Sequence, residues 1–199
     1  MILTLVSEST TEPVSVADFR TYLRMGSTDS TAEDILMGSF LTAARQKAEN
    51  ITKRSFISQT WKLVLDEFPG NEGEIELPRP PISTVSTAVV ITYVEDTTAG
   101  NTTTVGSTVY TIDRDSSPGR VYPSYSNDWP SSVRDQNNAV TIQYITGYTS
   151  ASLPAAVTNW IKMVAADLYE NRQSISEGQT YRIPRTYVDG MLDEYLVPR

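Results

Sequence analysis

The 199-residue chain contains neither cysteine nor histidine. Without cysteine there are no disulfides, thiolate nucleophiles or cysteine-ligated zinc. Without histidine there is no Ser-His-Asp triad, no histidine metal ligand and no unperturbed side chain that titrates near neutrality. An enzyme would have to work with carboxylates, Lys, Tyr or Ser alone. Phosphate loops of the GxxxxGK[ST] or GxGxxG type are missing, and no apolar run is long enough to span a bilayer. Residues 1–11 carry Ile2, Leu3, Leu5 and Val6 but neither a basic n-region nor a small-residue cleavage site. They therefore do not read as a signal peptide, and the expected place of the chain is the cytoplasm of the cell that makes it. Basic residues are also in short supply: 16 Lys and Arg face 24 Asp and Glu, a net charge of −8. A protein that grips DNA nonspecifically needs a basic face to displace counterions. An acidic wall beside DNA would instead repel it and let it slide, and it also keeps the chain soluble.

The hydrophobic pattern has two regimes. Residues 13–25 (PVSVADFRTYLRM) predict a short helix, with Ser15 as N-cap, Asp18 as its reciprocal partner and Val16, Phe19 and Leu23 at helical spacing. Residues 31–53 predict a longer one. Ser30 and Glu33 repeat the capping-box pattern, and Ile35, Leu36, Phe40, Ala43, Ala44, Ala48 and Ile51 form an apolar stripe. Lys53 and Arg54 close it at the negative end of the helix dipole.

From residue 57 the period becomes two. Residues 59–66 place Trp61, Leu63 and Leu65 on one face, and residues 74–77 alternate again before Pro78. Residues 85–94, 104–112, 120–122 and 139–146 complete an all-β block over 57–147, with a polar hairpin loop at 95–103. Helix returns after Leu153-Pro154, with Val157, Trp160, Ile161, Val164 and Leu168 in period. Pro184 opens a last helix with Val188, Met191, Leu192 and Tyr195 on one side. The expected fold is α+β: an α-helical bundle formed by the N- and C-terminal segments (1–56 and 148–199), with an inserted antiparallel all-β domain (57–147).

Candidate chemistry is sparse. Asp113 and Asp115, followed by Ser-Ser-Pro-Gly, hold too few oxygen ligands for a calcium loop and suit a tight turn. Asp66, Glu67, Glu72, Glu74 and Glu76 cluster, yet alternation sets Glu74 and Glu76 opposite Ile75 and Leu77, the pattern of a solvated strand face. Tyr122, Tyr125 and Trp129 are placed either to pack the β domain or to stack on bases or sugars. The last helix suits either packing onto its own bundle or insertion into a neighbouring subunit.

Several short motifs recur in a fixed order through nearly the whole chain: PVSVADFRTYLR at 13–24, AAR at 43–45 with Glu49 and TKR at 52–54, QTW at 59–61 with DEFP at 66–69, and LPRPP at 77–81. PGR at 118–120, Trp129-Pro130, Ala139-Val140, Gly147-Tyr148, Leu153-Pro154, LYENR at 168–172 and the closing Leu192 to Tyr195 follow. With these the chain resembles the bacteriophage head–tail connector (adaptor) family, in its long form with a β-domain insertion. It departs in carrying Lys53 where that family usually ends the long helix on Gly. Its loop at 174–183 is of variable length and takes no role from the family. The resemblance implies a structural virion protein of the neck, with no enzymatic activity and no cofactor or metal. It implies a ring of identical subunits, a dodecamer, docked beneath the portal protein and receiving a stopper or tail-completion protein. DNA would pass through the lumen during packaging and ejection without sequence-specific contact, and no membrane is involved. The C-terminal segment of such connectors engages the portal. On this chain that segment corresponds to Pro184, Tyr187, Val188, Met191, Leu192, Tyr195, Leu196, Val197, Pro198 and Arg199. Two other functions compete. A tail-associated carbohydrate- or surface-binding module would use the aromatics at 122–129. A DNA-packaging enzyme would need the nucleotide loop or the metal-binding carboxylates that the sequence lacks.

Overall fold

The computed structural model describes residues 1–26, 31–70, 73–149, 152–171 and 188–197. They form helices and antiparallel sheets, the α+β class expected. They part into two compact units. One holds residues 1–9 and 57–148, the other 10–56 and 149–197.

The β unit contains two sheets. In the first, strands β1 (Ile2–Glu8), β2 (Gln59–Leu65), β8 (Val140–Thr146), β4 (Val89–Val94) and β5 (Thr102–Thr104) lie in the order β1-β2-β8-β4-β5, every pair antiparallel. In the second, β3 (Ile75–Leu77), β7 (Gly119–Pro123) and β6 (Tyr110–Asp113) lie in the order β3-β7-β6. Alternation puts Leu63, Ile91, Ile142 and Tyr144 from the first sheet and Leu77, Tyr110 and Val121 from the second into one core. Around it the LPRPP segment is held by its own polar atoms. Arg79 lies over the Trp61 ring at 5.2 Å, and the Tyr144 hydroxyl donates to the Pro78 carbonyl at 3.0 Å. The Pro80-Pro81 and Ser117-Pro118 bonds are cis. Gly147 has φ +110°, and a Cβ there would lie 1.9 Å from the Ile57 carbonyl oxygen, so only glycine fits.

Three expectations need correction here. Residues 1–9, grouped with the helical part, begin with a strand: Ile2–Glu8 pairs antiparallel with β2 through a register shift between Leu5 and Ser7. The run 104–112 is not one strand. Its backbone leaves the ladder at 105–109, around Gly106, before β6 begins. Residues 85–88 form a turn, so the next strand starts only at Val89.

The helical unit holds α1 (Val16–Tyr22), α2 (Asp34–Thr52), α3 (Ala155–Glu170) and a 3₁₀ segment (Gly190–Tyr195). Ser15 caps α1 as expected. Its side-chain oxygen accepts the Asp18 N–H at 3.0 Å, and its hydroxyl donates to the Asp18 carboxylate at 2.7 Å. The second capping box fails on its described half: Glu33 sits at the N-cap of α2 without a side-chain capping bond, and Ser30 lies outside the described residues. Glu33 instead accepts the Tyr169 hydroxyl at 2.5 Å.

The stripe on α2 holds at Ala44 and Ala48 and is otherwise displaced. Its buried face is Met37, Leu41, Ala44, Arg45, Ala48, Glu49 and Thr52, whereas Ile35 is 89% exposed and Ala43 faces solvent. The true stripe mixes apolar and polar residues at helical spacing, so a count of hydrophobic side chains selects the neighbouring face. α2 ends with Lys53 at φ +59°, a left-handed geometry that glycine adopts without strain. On α3, Val157, Trp160, Ile161 and Ala165 are buried.

Candidate assembly surface

The C-terminal segment of the helical unit is positioned from the end of α2. The left-handed turn at Lys53 leaves the Thr52 carbonyl to accept the Val197 N–H at 3.0 Å, and the Arg54 Nε donates to the Tyr195 carbonyl at 2.6 Å. These bonds satisfy a helix-end carbonyl that would otherwise need water. They also tie the segment to α2 by its backbone, leaving its side chains to choose their own surroundings.

Among the expected contact residues, Leu192 points inward and is wholly buried in its own unit, where the 3₁₀ segment packs on α2 and α3. It is part of the core and is not a surface to offer. Val188, Met191, Tyr195 and Val197 are half-buried, and Leu196 is 43% exposed. Pro184, Tyr187, Pro198 and Arg199 lie outside the described residues, as does the loop at 174–183.

α2 also carries a buried ion network centred on Arg45. The Arg45 side chain is 1% exposed. Its Nε donates to Glu12 at 2.8 Å and its Nη1 to Glu49 at 2.9 Å. Glu12 also accepts the Thr42 hydroxyl at 2.7 Å, and Glu49 accepts the Phe56 N–H at 2.8 Å. The i,i+4 spacing of Arg45 and Glu49 was visible in the sequence. Glu12, 33 residues upstream, was not. On the same helix the Lys47 ammonium lies 5.8 Å from the centroid of the buried Trp160 ring.

The β unit places the other candidates. Trp129 is buried, stacks on Phe68 at 4.9 Å and donates from its indole N–H to the Gly73 carbonyl at 2.7 Å, so it belongs to the core. Tyr125 is 99% exposed and Tyr122 partly so. The three aromatics therefore do not form one platform. The carboxylates likewise disperse: Asp66 accepts the Asn138 N–H at 2.8 Å, Glu74 pairs with Arg120 at 3.1 Å, and Glu76 faces solvent between buried Ile75 and Leu77. Glu72 lies outside the described residues. Asp66 and Glu67 line a cleft of about 750 Å³ with Arg134, Asp135 and Gln136.

Asp113 closes its turn by accepting the Asp115 and Ser116 N–H groups and the Ser116 hydroxyl, and the Ser116 bonds hold its carboxyl below the ordinary range. The buried Tyr144 hydroxyl is pushed well above the ordinary phenol range by desolvation, and that of Tyr110 is raised for the same reason. Among the described residues no group of three or more carboxylates could hold a metal ion, and no helix is long and apolar enough to cross a membrane.

No family model matches the chain, and no curated protein does. Solved structures do match it. They include a chain from the virion of a native gene transfer agent particle (24% identity, TM-score 0.78) and one from the neck of an empty particle computed with C6 symmetry (24%, 0.75). A chain from the neck of a native particle computed with C12 symmetry matches at 21% identity and a TM-score of 0.70. Each match covers 100% of this chain and 97% of the other. The chain thus shares its whole fold, β unit and helical unit alike, with chains of these particles.

Proposed function

We propose that this protein is a structural neck subunit of a phage-like virion, a head–tail connector that forms a ring beneath the portal, extends the DNA channel and receives a stopper or tail-completion protein. The observation that carries this is the match of fold over 100% of the chain to neck chains of gene transfer agent particles. The rest of the molecule is consistent with it. Its carboxylates Asp66, Glu74, Glu76 and Asp113 are spent on turns, a strand face and an ion pair, its charge is −8, and its C-terminal segment is held in place by backbone bonds. Copies in a closed ring of three or more subunits need two different contact faces.

The ring has twelve copies, DNA crosses its lumen without base-specific contact, and the portal binds the outer side of the C-terminal segment. Of the residues expected there, Leu196, Met191, Tyr195, Val188 and Val197 remain as contacts, while Leu192 serves the core. Deleting 184–199 would also remove the partners of Arg54 and Thr52, so a point substitution is the cleaner test. Leu196→Asp leaves the fold intact because the side chain is already 43% exposed. It should weaken portal binding at least tenfold, since burying an unpaired carboxylate in an apolar contact costs a few kcal/mol. Unchanged affinity would show that this face is not the contact.

A further inference from the structure

β1 is the outermost strand of the five-stranded sheet, and over Ile2–Leu5, ahead of the register shift at Leu5/Ser7, no other described strand pairs with its outer edge. Residues 2–7 (ILTLVS) contain no charge and no proline. Ile2, Leu5 and Val6 are 54%, 40% and 52% exposed. Proteins usually blunt such an edge with lysine, proline or a covering element, because its unpaired amides template another strand.

The backbone bonds show which groups face outward. Ser9 bonds inward to Ser58, and in the β2–β8 pair the bonded residues of β2 are the odd-numbered ones, which leaves 60, 62 and 64 to β1. Opposite 62 and 64 stand Thr4 and Ile2, so Leu3 and Leu5 turn their N–H and C=O groups away from the sheet.

The other end of the same sheet is built alike. On β5, Asn101 and Val105 bond inward to Glu95 and Ile91, so the exposed Thr102 and Thr104 present theirs outward. Residues 101–104 are likewise uncharged. Four successive antiparallel steps separate β1 from β5, so the two edge strands run in the same direction. A rotation that carries one copy onto the next in a ring preserves that direction about its axis. It can bring β1 against β5 as a parallel ladder, whereas β1 against β1 requires a two-fold axis and stops at a dimer.

We propose that β1 of one copy adds in parallel to β5 of the adjacent copy, joining the five-stranded sheets head to tail. The contact rests on the ring proposed above and identifies where its subunits touch. It covers the apolar edge and supplies the two unlike faces that a closed ring needs.

Because the chain has no cysteine, a cross-link can be read without background. Val6→Cys and Thr102→Cys, both at exposed positions, are combined in one chain and treated with a short bis-maleimide in the state, free or portal-bound, in which wild type forms the ring. The double variant should give a ladder of multimers on a denaturing gel, and each single variant should stay monomeric. Thr104→Pro removes one outward N–H at an edge where proline is tolerated, and should dissociate the ring while circular dichroism stays unchanged. Rings without a ladder would overturn this contact and leave the ring standing. Dimers from Val6→Cys alone would show a two-fold edge contact in its place. Absence of a ring in both states would remove the functional proposal and this contact together.

Discussion

Replacing Glu49 by glutamine removes one of two counter-charges from a guanidinium that has almost no access to water. Arg45 is 1% exposed and Glu49 7%, while Glu12, the remaining partner, is 22% exposed and holds Arg45 through both Nε and Nη2. Losing one partner of a buried pair costs about 3–5 kcal/mol. Because Glu12 stays bidentate, the low end of that range applies, about 3 kcal/mol. Glutamine keeps an oxygen for the Phe56 N–H, whereas Glu49→Ala orphans that donor and should cost about 1–2 kcal/mol more. Urea unfolding followed through hydrogen exchange in 10–56 and 149–171 assigns the loss to the helical unit, with the β unit unchanged as its internal control. A Glu49→Gln variant within about 0.5 kcal/mol of wild type, inside the usual range for surface substitutions, would refute the claim that this network anchors the helical unit.

Other consequences follow from single positions. Lys53→Gly should stabilise the helical unit by about 1 kcal/mol in the same urea assay, since a side chain at φ +59° is strained where glycine is not. Gly147→Ala should cost at least about 3 kcal/mol, or prevent folding, because its methyl has no room beside Ile57. Tyr144→Phe should cost about 1–2 kcal/mol at neutral pH by leaving the Pro78 carbonyl unpaired. The raised phenol of Tyr144 also sets a sign. Folding favours its protonated form, so that stability is whole below the ordinary phenol value of 10.0 and falls as pH rises above it. The Phe variant should therefore lose less stability than wild type on going from pH 9 to pH 11. Asp113 has the opposite sign: its stabilisation is present above the ordinary carboxylate value of 3.8 and is lost below it, so Asp113→Asn should flatten the acid limb of the stability profile.

Much of the fold was legible because local signals agreed. Ser15 with Asp18 set the start of α1, alternation at 59–65 set β2, and Leu153-Pro154 announced α3. The sequence failed where tertiary context outweighed local composition. The buried face of α2 contains Arg45, Glu49 and Thr52, which any hydrophobicity count assigns to solvent, so the stripe kept Ala44 and Ala48 but took in the exposed Ile35 and Ala43. β1 was missed because an edge strand exposed on both sides has no buried face to impose a clear alternation on ILTLVSE. At the candidate assembly surface the apolar positions of 188–197 were legible, but their division between core and surface was not. Leu192 goes inward and Leu196 outward, and only the bonds from Thr52 and Arg54 determine that. The partner of Arg45 was out of reach because Glu12 sits in an irregular stretch far along the chain. The edge at Ile2–Glu8 and its counterpart at Thr102–Thr104 emerge only once the order of strands is known.

The most direct test is the mass of the intact protein, alone and mixed with the portal protein of the same particle, read by native mass spectrometry. The proposed function predicts a closed ring of twelve subunits in at least one of the two states. A chain that remains a monomer in both, or that binds the portal as scattered single copies, would contradict it.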